Sequence, residues 1–227
     1  MSLVLFDIDG TLLLSGGAGV RAMTRAFETL FGFPDAFAGI PIAGHTDTFL
    51  LSRALGRVNL PDTADQHAEF RTVYLSILAD EIHEPSAGRK GVMPGVDTLL
   101  AAIAGEPSFH AALLTGNYEE AARIKLRHFG LADFFAWGTF GDESPDRNEL
   151  ARIALARAHE RLVPPEARAR AVVVGDTPQD IACARAAGAR AIAVATGNYS
   201  FDELATAGAD VTLPDLRDTD RVLSMLR

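Results

Sequence analysis

The sequence predicts an α/β fold in which a doubly wound, mainly parallel sheet is joined to an inserted all-helical segment. Short apolar or β-branched runs alternate with amphipathic helical stretches in residues 1–15 and 89–227. This alternation is typical of a parallel sheet covered by helices on both faces. Polar motifs follow directly after several of the runs, where such sheets bind ligands. Residues 16–88 contain helical patterns but no convincing strand.

The individual elements follow from the spacing of apolar residues. Strands are predicted at Leu3–Phe6, Ala111–Leu114, Ala171–Val174 and Ala191–Ala195, with a weaker candidate at Phe135–Phe140. Helices between these strands are predicted at Glu119–Phe129, Glu149–Arg161 and Ile181–Ala187. In the inserted segment, helices are predicted at Val20–Phe31, Thr48–Leu55 and Ala64–Ile82.

Composition restricts the class of protein. Of the 227 residues, 48% are hydrophobic and 22% are charged, which is typical of a globular protein with a substantial core. The formal net charge of −9 argues against a general nucleic-acid-binding surface. No apolar run is long enough to cross a bilayer and the N-terminus does not resemble a signal peptide, so we expect a cytoplasmic protein without a membrane partner. Cys183 is the only cysteine, and we expect a small buried residue without a redox role.

The most informative stretch is Val4–Leu12, an apolar run that ends in Asp7 and Asp9 and continues with Gly10. Residues two apart on an extended segment project to the same side, so the two carboxylates would face one small volume at the end of a strand. Their repulsion requires a cation or a shared proton, which predicts a divalent metal, acid–base chemistry or both. An ordinary Asp-Gly turn, in which the acidic residues have no catalytic role, is the alternative. A calcium loop is disfavoured, because the acidic series stops at Gly10 and a β-type run precedes it.

Asp7-Ile8-Asp9-Gly10-Thr11-Leu12 resembles the first motif of the haloacid dehalogenase superfamily, whose members are mostly Mg²⁺-dependent phosphatases. The resemblance implies that Asp7 is the nucleophile and Asp9 the general acid and base. It also implies a Rossmann-like catalytic core in residues 1–15 and 89–227, with residues 16–88 forming a mobile helical cap domain inserted after the first strand. The overall pattern is most similar to the phosphoglycolate phosphatase-like branch of the superfamily.

A second motif, Thr115-Gly116-Asn117, follows the strand Ala111–Leu114 and precedes a predicted helix. A hydroxyl and backbone N–H groups at a helix N-terminus suit a phosphate oxygen. Asn117 is placed to cap the helix, and a plain strand–turn–helix junction is the alternative. In the family, a Thr or Ser at this point hydrogen-bonds the transferring phosphoryl group, which implies that role for Thr115. Further phosphate contacts are predicted at Gly10, Thr11, Gly116 and Asn117.

Arg147 occupies the position of the family's third motif, at the start of a later helix. The family usually has a Lys there, less often an Arg, and this residue holds the nucleophile and the phosphate in position. Many relatives have Lys-Pro where this sequence has Arg147-Asn148. A guanidinium stays charged and binds phosphate and carboxylate oxygens bidentately, so Arg suits the role. A solvated Arg147 that pairs with Asp146 or Glu149 is the alternative. Lys125, the rival cation, is expected at the surface because it lies mid-helix, beyond the carboxyl edge of the sheet.

A second acidic motif follows the strand Ala171–Val174. Asp176 comes at the end of the strand, Thr177-Pro178 can cap and begin a helix, and Asp180 falls one turn after Asp176, so that the two carboxylates can converge. A capping cluster at the helix N-terminus is the alternative. Together with the first motif, four carboxylates would gather at one edge of the sheet, and their repulsion predicts a metal ion.

Mg²⁺ suits an all-oxygen site with few protein carboxylates, and the His and Cys patterns of zinc sites are missing. The predicted metal residues are Asp7, Asp9, Asp176 and Asp180. The family resemblance implies direct ligation by Asp7, by Asp176 and by the backbone carbonyl of Asp9. It implies that Asp180 binds through water or orients its neighbours.

The motifs and the family resemblance that they carry imply a Mg²⁺-dependent phosphatase that hydrolyses a small, phosphoglycolate-like phosphate monoester through an aspartyl-phosphate. A sugar-phosphate mutase of the same superfamily is the alternative. A non-catalytic phosphometabolite-binding module is less favoured, because binding alone does not need Asp9. A dehalogenase is disfavoured because it needs no acid at Asp9, and phosphonate-cleaving relatives use a cap lysine, whereas residues 1–89 contain none.

Several residues of the inserted segment are candidates for substrate contact, namely Gly16–Gly19, Arg21 and His45-Thr46-Asp47. We predict structural roles for them instead. The glycines suit a hinge, Arg21 suits a solvated position, and Thr46 or Asp47 suits a helix cap.

Overall fold

A six-stranded parallel sheet lies at the centre of the protein in a computed structural model that describes residues 1–227. The β-strands are β1 (Ser2–Phe6), β2 (Leu13–Ser15), β3 (Lys90–Val92), β4 (Phe109–Leu114), β5 (Gly138–Thr139), β6 (Val172–Gly175), β7 (Arg190–Val194) and β8 (Val211–Leu213). The sheet has the order β5-β4-β1-β6-β7-β8, with every neighbouring pair parallel. β2 and β3 form a separate antiparallel ribbon.

The chain contains ten α-helices. They are α1 (Ala18–Phe31), α2 (Asp47–Arg57), α3 (Ala64–Glu81), α4 (Val96–Gly105), α5 (Glu119–His128), α6 (Arg147–Glu160), α7 (Pro165–Arg168), α8 (Pro178–Ala186), α9 (Phe201–Thr206) and α10 (Thr219–Leu226). A 3₁₀ turn covers Ala132–Phe134. No helix combines the length and the apolar character that crossing a membrane requires.

Both faces of the sheet are buried against helices, as the apolar runs predict. In β1, Leu3 and Leu5 pack on one side and Val4 and Phe6 on the other, because successive side chains of a strand alternate. The first side is covered by α6 to α9 and the second by α4, α5 and α10. The predicted class, a doubly wound parallel sheet with helices on both faces, is confirmed.

Helices α1, α2 and α3 bury a core of their own. Phe27, Leu51 and Phe70 are fully buried in it, and the ring centroids of Phe27 and Phe70 lie 6.3 Å apart. Tyr118 and Ala121, at the start of α5, also belong to this cluster and connect it to the rest of the chain. The assignment of residues 16–88 to a separate domain stays a prediction.

The chain leaves the sheet for these helices after β2 and returns from them before β3. The β2–β3 ribbon pairs Ser15 with Lys90 at this point. The carbonyl oxygen of Gly16, a residue with φ of 65°, accepts a hydrogen bond from Ser86 Oγ at 2.6 Å and another from Arg21 Nη1 at 2.6 Å. The outgoing and returning connections are therefore hydrogen-bonded to each other.

The sequence predictions locate most of the long elements and miss most of the short ones. The predicted strand Phe135–Phe140 is too long, because only Gly138–Thr139 pairs with β4. β2, β3 and β8 have three residues each, too few for a periodic signal. Helix α4 also lies outside the predicted set, although Leu99, Leu100 and Ile103 have helical spacing.

Candidate active site

The polar motifs lie at one edge of the sheet because β1, β4 and β6 are parallel neighbours. Asp7 follows β1, Thr115 follows β4 and Asp176 follows β6. The Asp7 N–H donates to the Val174 carbonyl at 3.0 Å, and the Thr115 N–H donates to the Thr139 carbonyl at 3.1 Å. The sheet therefore holds the backbone beneath these side chains.

Three buried carboxylates and one arginine form the deepest part of the site. One oxygen each from Asp7, Asp176 and Asp180 lies within 4.8 Å of the others. Arg147, the first residue of α6, donates from Nη2 to Asp7 at 2.7 Å and to Asp180 at 2.5 Å. Only 9% of the Arg147 side chain is exposed, so the alternative of a solvated arginine is wrong. A single cation thus faces three carboxylates.

The surroundings of Asp7 and Asp176 raise the pKa of both carboxyl groups. Burial raises the pKa of Asp7 to about 7; the charges of Asp180 and Asp9 act in the same direction and Arg147 opposes them. Burial also raises the pKa of Asp176 well above its ordinary value, and Asp180 and Asp7 add to the shift. Burial works against the charge on Arg147, but the carboxylates of Asp180 and Asp7 outweigh it and its pKa rises. Arg147 therefore stays a cation.

Asp180 is held on both carboxylate oxygens. Its Oδ2 accepts hydrogen bonds from the Thr177 N–H at 3.0 Å and the Thr177 hydroxyl at 2.7 Å. The Asp180 N–H donates back to Thr177 Oγ1 at 3.3 Å, which completes a capping box at the start of α8. The predicted cap at Thr177-Pro178 is confirmed. The other oxygen, Oδ1, accepts from Arg147.

Asp9 has different partners from Asp7. Its Oδ2 accepts hydrogen bonds from Lys125 Nζ at 2.6 Å and Asn117 Nδ2 at 2.8 Å. Lys125 Nζ also donates to Asn117 Oδ1 at 2.6 Å, and Asn117 Nδ2 also donates to Thr115 Oγ1 at 2.8 Å. Because the hydroxyl oxygen of Thr115 is the acceptor, its proton is free to bind another group. This network connects the first motif to the second.

The predicted surface position of Lys125 is wrong, since only 5% of its side chain is exposed. Side chains of a helix point toward its N-terminus, so a long side chain from the second turn of α5 reaches the end of the sheet. The predicted cap at Asn117 is also wrong. Tyr118 holds the cap position of α5 without a side-chain hydrogen bond, while the Asn117 amide binds Asp9.

Gly10 and Thr11 support Asp176. Gly10 has φ of 89°, and a Cβ atom there would overlap the Asp176 carboxylate. The Thr11 hydroxyl donates to Asp176 Oδ1 at 3.2 Å, and the Thr196 hydroxyl donates to the Gly10 carbonyl at 2.6 Å. The hydroxyl of Thr11 is thus bound to a carboxylate, and the phosphate contact of this residue stays a prediction.

The second motif also contacts the helical segment. The Asp47 N–H donates to the Gly116 carbonyl at 2.7 Å, and the Asp47 carboxylate accepts from the Tyr118 N–H at 2.8 Å. A Cβ atom at Gly116 would overlap the backbone of His45, so this close approach requires glycine. Burial raises the pKa of Asp47 to about 7, although Lys125 and the Tyr118 N–H oppose the shift.

Two residues of the segment have structural partners. Thr46 caps α2, because its hydroxyl oxygen accepts from the Phe49 N–H at 3.1 Å, which confirms the structural role predicted for it. Arg21 keeps 38% of its side chain exposed, in line with the predicted solvated position, but it also has a protein partner. Its Nε donates to the buried Glu81 at 2.8 Å.

A cavity of about 260 Å³ opens above the sheet edge. The predicted site residues that line it are Asp7, Asp9, Gly10, Thr115, Gly116, Asn117, Arg147 and Asp176. Thr11 and Asp180 lie outside the lining, bound to Asp176 and Arg147. The helical segment contributes mainly apolar residues to the cavity, among them Val20, Met23, Ile42, Leu50 and Tyr74.

A family model described as haloacid dehalogenase-like hydrolase matches residues 1–188. The chain belongs to this family. A phosphoglycolate phosphatase from Rhodospirillum rubrum is 30% identical to this hydrolase over 220 residues, which cover 93% of this chain and 86% of that protein. A phosphoglycolate phosphatase from Chromobacterium violaceum is 29% identical over 222 residues, covering 95% and 93% of the two chains. The family resemblance seen in the sequence is confirmed.

Solved structures support the fold of the hydrolase. The crystal structure of CbbY from Rhodobacter sphaeroides in complex with phosphate superimposes with a TM-score of 0.72 at 23% identity and covers 96% of each chain. At this level of identity the similarity shows a common fold.

The carboxylate cluster of this hydrolase fits a divalent cation. Asp7, Asp176 and Asp180 offer only oxygen donors, all buried, and Arg147 alone does not balance their charge. A cation among them would lower the raised pKa values of Asp7 and Asp176. The Asp9 carboxylate binds Lys125 and Asn117 instead. A metal contact through the backbone carbonyl of Asp9, which the family resemblance implies, stays a prediction.

The cavity lining also includes ionisable residues outside the predicted site set, among them Asp47, Tyr74 and Lys125. Two sequence features could have indicated a role for Lys125 in the site: it is one of only two lysines in the chain, and it lies shortly after the second motif. The sequence offers Asp47 as a candidate substrate contact but favours a helix cap for it, and no pattern indicates Tyr74. They belong to the inserted helices, whose docking against the sheet cannot be read from residue spacing.

Proposed function

We propose that this hydrolase is a Mg²⁺-dependent phosphatase that cleaves a small, phosphoglycolate-like phosphate monoester through an aspartyl-phosphate on Asp7. The family and the curated relatives make the chain a phosphoric monoester hydrolase. One observation carries the residue assignment. Asp7 lies with Arg147 in the carboxylate cluster, whereas Asp9 lies with Lys125 and Asn117. A cation among Asp7, Asp176 and Asp180 would keep Asp7 ionised as the nucleophile, while Asp9, whose carboxylate lies outside that cluster, can act separately as the general acid.

In the first step, a carboxylate oxygen of Asp7 attacks phosphorus in line, and the bond between phosphorus and the leaving-group oxygen breaks. Asp9 gives its proton to that oxygen. In the second step, Asp9 takes a proton from a water molecule that attacks the same phosphorus. Inorganic phosphate leaves and the Asp7 carboxylate is restored. Lys125 and Asn117 hold Asp9 in place for both proton transfers.

Positive charge and free hydrogen-bond donors hold the phosphoryl group. Arg147 supplies a fixed charge beside Asp7, and Asp180 orients the guanidinium. The Thr115 hydroxyl donates its free proton to a phosphoryl oxygen, and Gly10, Gly116 and Asn117 line the same cavity. Mg²⁺ held by Asp7, Asp176 and the Asp9 carbonyl would add charge that stabilises the phosphoryl oxygens. Local charge of this kind explains how a protein of net charge −9 binds a phosphate.

We also propose that residues 16–88 form a cap domain over a core of residues 1–15 and 89–227. Helices α1 to α3 have their own apolar core and contribute one wall of the cavity. The hydrogen bonds of the Gly16 carbonyl with Ser86 and Arg21 lie where such a cap would hinge. The substrate in this proposal is a small phosphorylated metabolite, and the cytoplasmic location stays a prediction.

Phosphate release from p-nitrophenyl phosphate in the presence of Mg²⁺ tests the proposal. We expect turnover by the unmodified protein, loss of turnover with a chelator and recovery when Mg²⁺ is added back. Asp7→Asn should abolish turnover and keep the circular dichroism spectrum. The matched control Asp97→Asn changes an exposed aspartate of α4 and should keep the rate.

Two results would contradict the proposal. A near-normal rate in Asp7→Asn would refute the nucleophile, and indifference to the chelator would refute the metal dependence. Once turnover is established, a panel of small esters that includes phosphoglycolate and hexose phosphates would identify the preferred substrate.

A further inference from the structure

Tyr74 carries a buried hydroxyl group without a partner. Its side chain is fully buried in the core of α1 to α3, with its ring stacked on Phe70 at 5.9 Å between centroids. Its hydroxyl oxygen forms no hydrogen bond within the protein. A buried polar group of this kind destabilises the fold unless something else pairs with it. Because Tyr74 lines the cavity above the carboxylates, a bound molecule can supply the partner.

The N-terminus of α1 lies next to this hydroxyl. A Cβ atom placed on Gly19 would be 3.7 Å from the Tyr74 hydroxyl oxygen and 3.5 Å from Lys125 Nζ. The first turn of α1 contains no acidic residue, and its cap residue Gly17 has no side chain to accept a hydrogen bond. The backbone N–H groups of residues 18 to 20 have no acceptor within the protein. The partial positive charge of the helix terminus adds to the attraction for an electron-rich oxygen.

Lys125 adds a third kind of donor. Its ammonium group has three protons, of which two bind Asp9 and Asn117. Asp47 and Asp9 also line the cavity, but the Tyr74 hydroxyl bonds to neither of them; the Asp47 carboxylate accepts from the Tyr118 N–H, and the Asp9 carboxylate accepts from Lys125 and Asn117. The groups around Gly19 are therefore donors that need an oxygen acceptor.

Lys125 connects the part of the cavity beside Gly19 to Asp9, the proposed general acid. Lys125 contacts both Asp9 and the space beside Gly19. In the proposed phosphatase, Asp9 protonates the leaving-group oxygen. The donors around Gly19 are then next to the first carbon atoms of the leaving group, and the apolar side chains of Val20, Met23 and Leu50 line the same cavity.

We propose that Tyr74, Lys125 and the N-terminus of α1 form a subsite for an oxygen acceptor, a carboxylate or a hydroxyl, on the second carbon of the leaving group. The inference rests on the proposed phosphatase function and names the class of ester that it prefers. Tyr74 is the specificity-determining residue of this subsite.

Three esters with a two-carbon leaving group test the subsite: phosphoglycolate carries a carboxylate, hydroxyethyl phosphate a hydroxyl, and ethyl phosphate neither. With Mg²⁺ present, kcat/KM should be higher for both oxygen-bearing esters than for ethyl phosphate. The measured quantities are the two ratios obtained by dividing kcat/KM of each oxygen-bearing ester by that of ethyl phosphate. Tyr74→Phe should lower these two ratios by about threefold to tenfold, which corresponds to the loss of one hydrogen bond. The control Tyr118→Phe removes a hydroxyl from the same aromatic cluster but outside the cavity lining, and should keep the ratios.

Gly19→Ala provides an independent test. The added methyl group would occupy the space between Tyr74 and Lys125, while alanine favours the helix. The two ratios should fall although the melting temperature holds or rises. Gly56→Ala is the matched control, because it adds the same methyl group to α2 where no atom lies within 4 Å. Tyr74→Phe should also keep the melting temperature of the free protein, since it removes an unpaired buried hydroxyl.

The outcomes separate the subsite from the reaction. Equal kcat/KM for the three esters, or ratios that neither Tyr74→Phe nor Gly19→Ala changes, would overturn the subsite and leave the phosphatase intact. Absence of turnover with all three esters and with p-nitrophenyl phosphate would overturn the proposed function, and the subsite with it.

Discussion

The substitution Arg147→Met removes the only cation that pairs with the buried carboxylate cluster. Arg147 binds Asp7 at 2.7 Å and Asp180 at 2.5 Å, and its side chain is 9% exposed. Deleting one partner of a buried ion pair costs about 3–5 kcal/mol, because the remaining charge is left unpaired. For a chain of 227 residues, about 1 kcal/mol lowers the melting temperature by about 2–4 °C. We therefore expect a fall of about 6–20 °C at pH 8.

The size of this fall should depend on pH. Burial raises the pKa of Asp7 from 3.8 to about 7 while Arg147 opposes the shift, so the pKa should rise further in the variant. An acid whose pKa is raised by folding contributes stability below its unfolded pKa and loses it as the pH rises through its folded pKa. The difference between variant and wild type should therefore be smaller at pH 5 than at pH 8. Added Mg²⁺ should reduce it at pH 8, because the cation replaces part of the lost charge.

Thermal unfolding followed by circular dichroism at both pH values, with and without Mg²⁺, measures the effect. The control Arg152→Met lies on the same helix, where Arg152 pairs only with Glu149 at 3.0 Å and 53% of its side chain is exposed. Such a surface pair contributes about 0–1 kcal/mol. If Arg147→Met unfolds at the same temperature as Arg152→Met at pH 8, Arg147 does not hold the cluster and the reasoning is refuted.

Lys125→Met should lower kcat for p-nitrophenyl phosphate by about 10- to 100-fold, because Asp9 loses the donor that positions it, whereas Arg123→Met on the same helix should keep the rate. Equal rates in the two variants would exclude the positioning role. Asp47→Asn should raise the melting temperature at pH 8 but not at pH 4, because burial raises the pKa of Asp47 to about 7 and its stability contribution is lost as the pH rises through that value. Parallel curves of melting temperature against pH would disprove this. Asp176→Asn should raise the Mg²⁺ concentration for half-maximal activity by at least about tenfold, and an unchanged Mg²⁺ requirement would argue against Asp176 as a ligand.

The sheet and its polar edge could be predicted because both depend on local patterns. An apolar run long enough to form a buried strand, followed at once by Asp7, Thr115 or Asp176, predicts a side chain at a strand end. Parallel strands place such ends at one edge whatever the strand order. Arg147 could be found through the family motif, although spacing alone did not separate a buried arginine from a solvated one. Only the structure shows it between two carboxylates.

What the sequence by itself determined is the strand-end chemistry: two acidic motifs, a hydroxyl and a basic residue at the start of a helix, all within reach of one sheet edge. What only the tertiary structure decided is which partner each group takes. Lys125 meets Asp9 across 116 positions of sequence because α5 packs along the sheet with its side chains directed toward the strand ends. Tyr74 enters the site because α1 and α3 pack together above it. Such pairings depend on the docking of whole helices, a long-range result of burying apolar faces that no local spacing encodes.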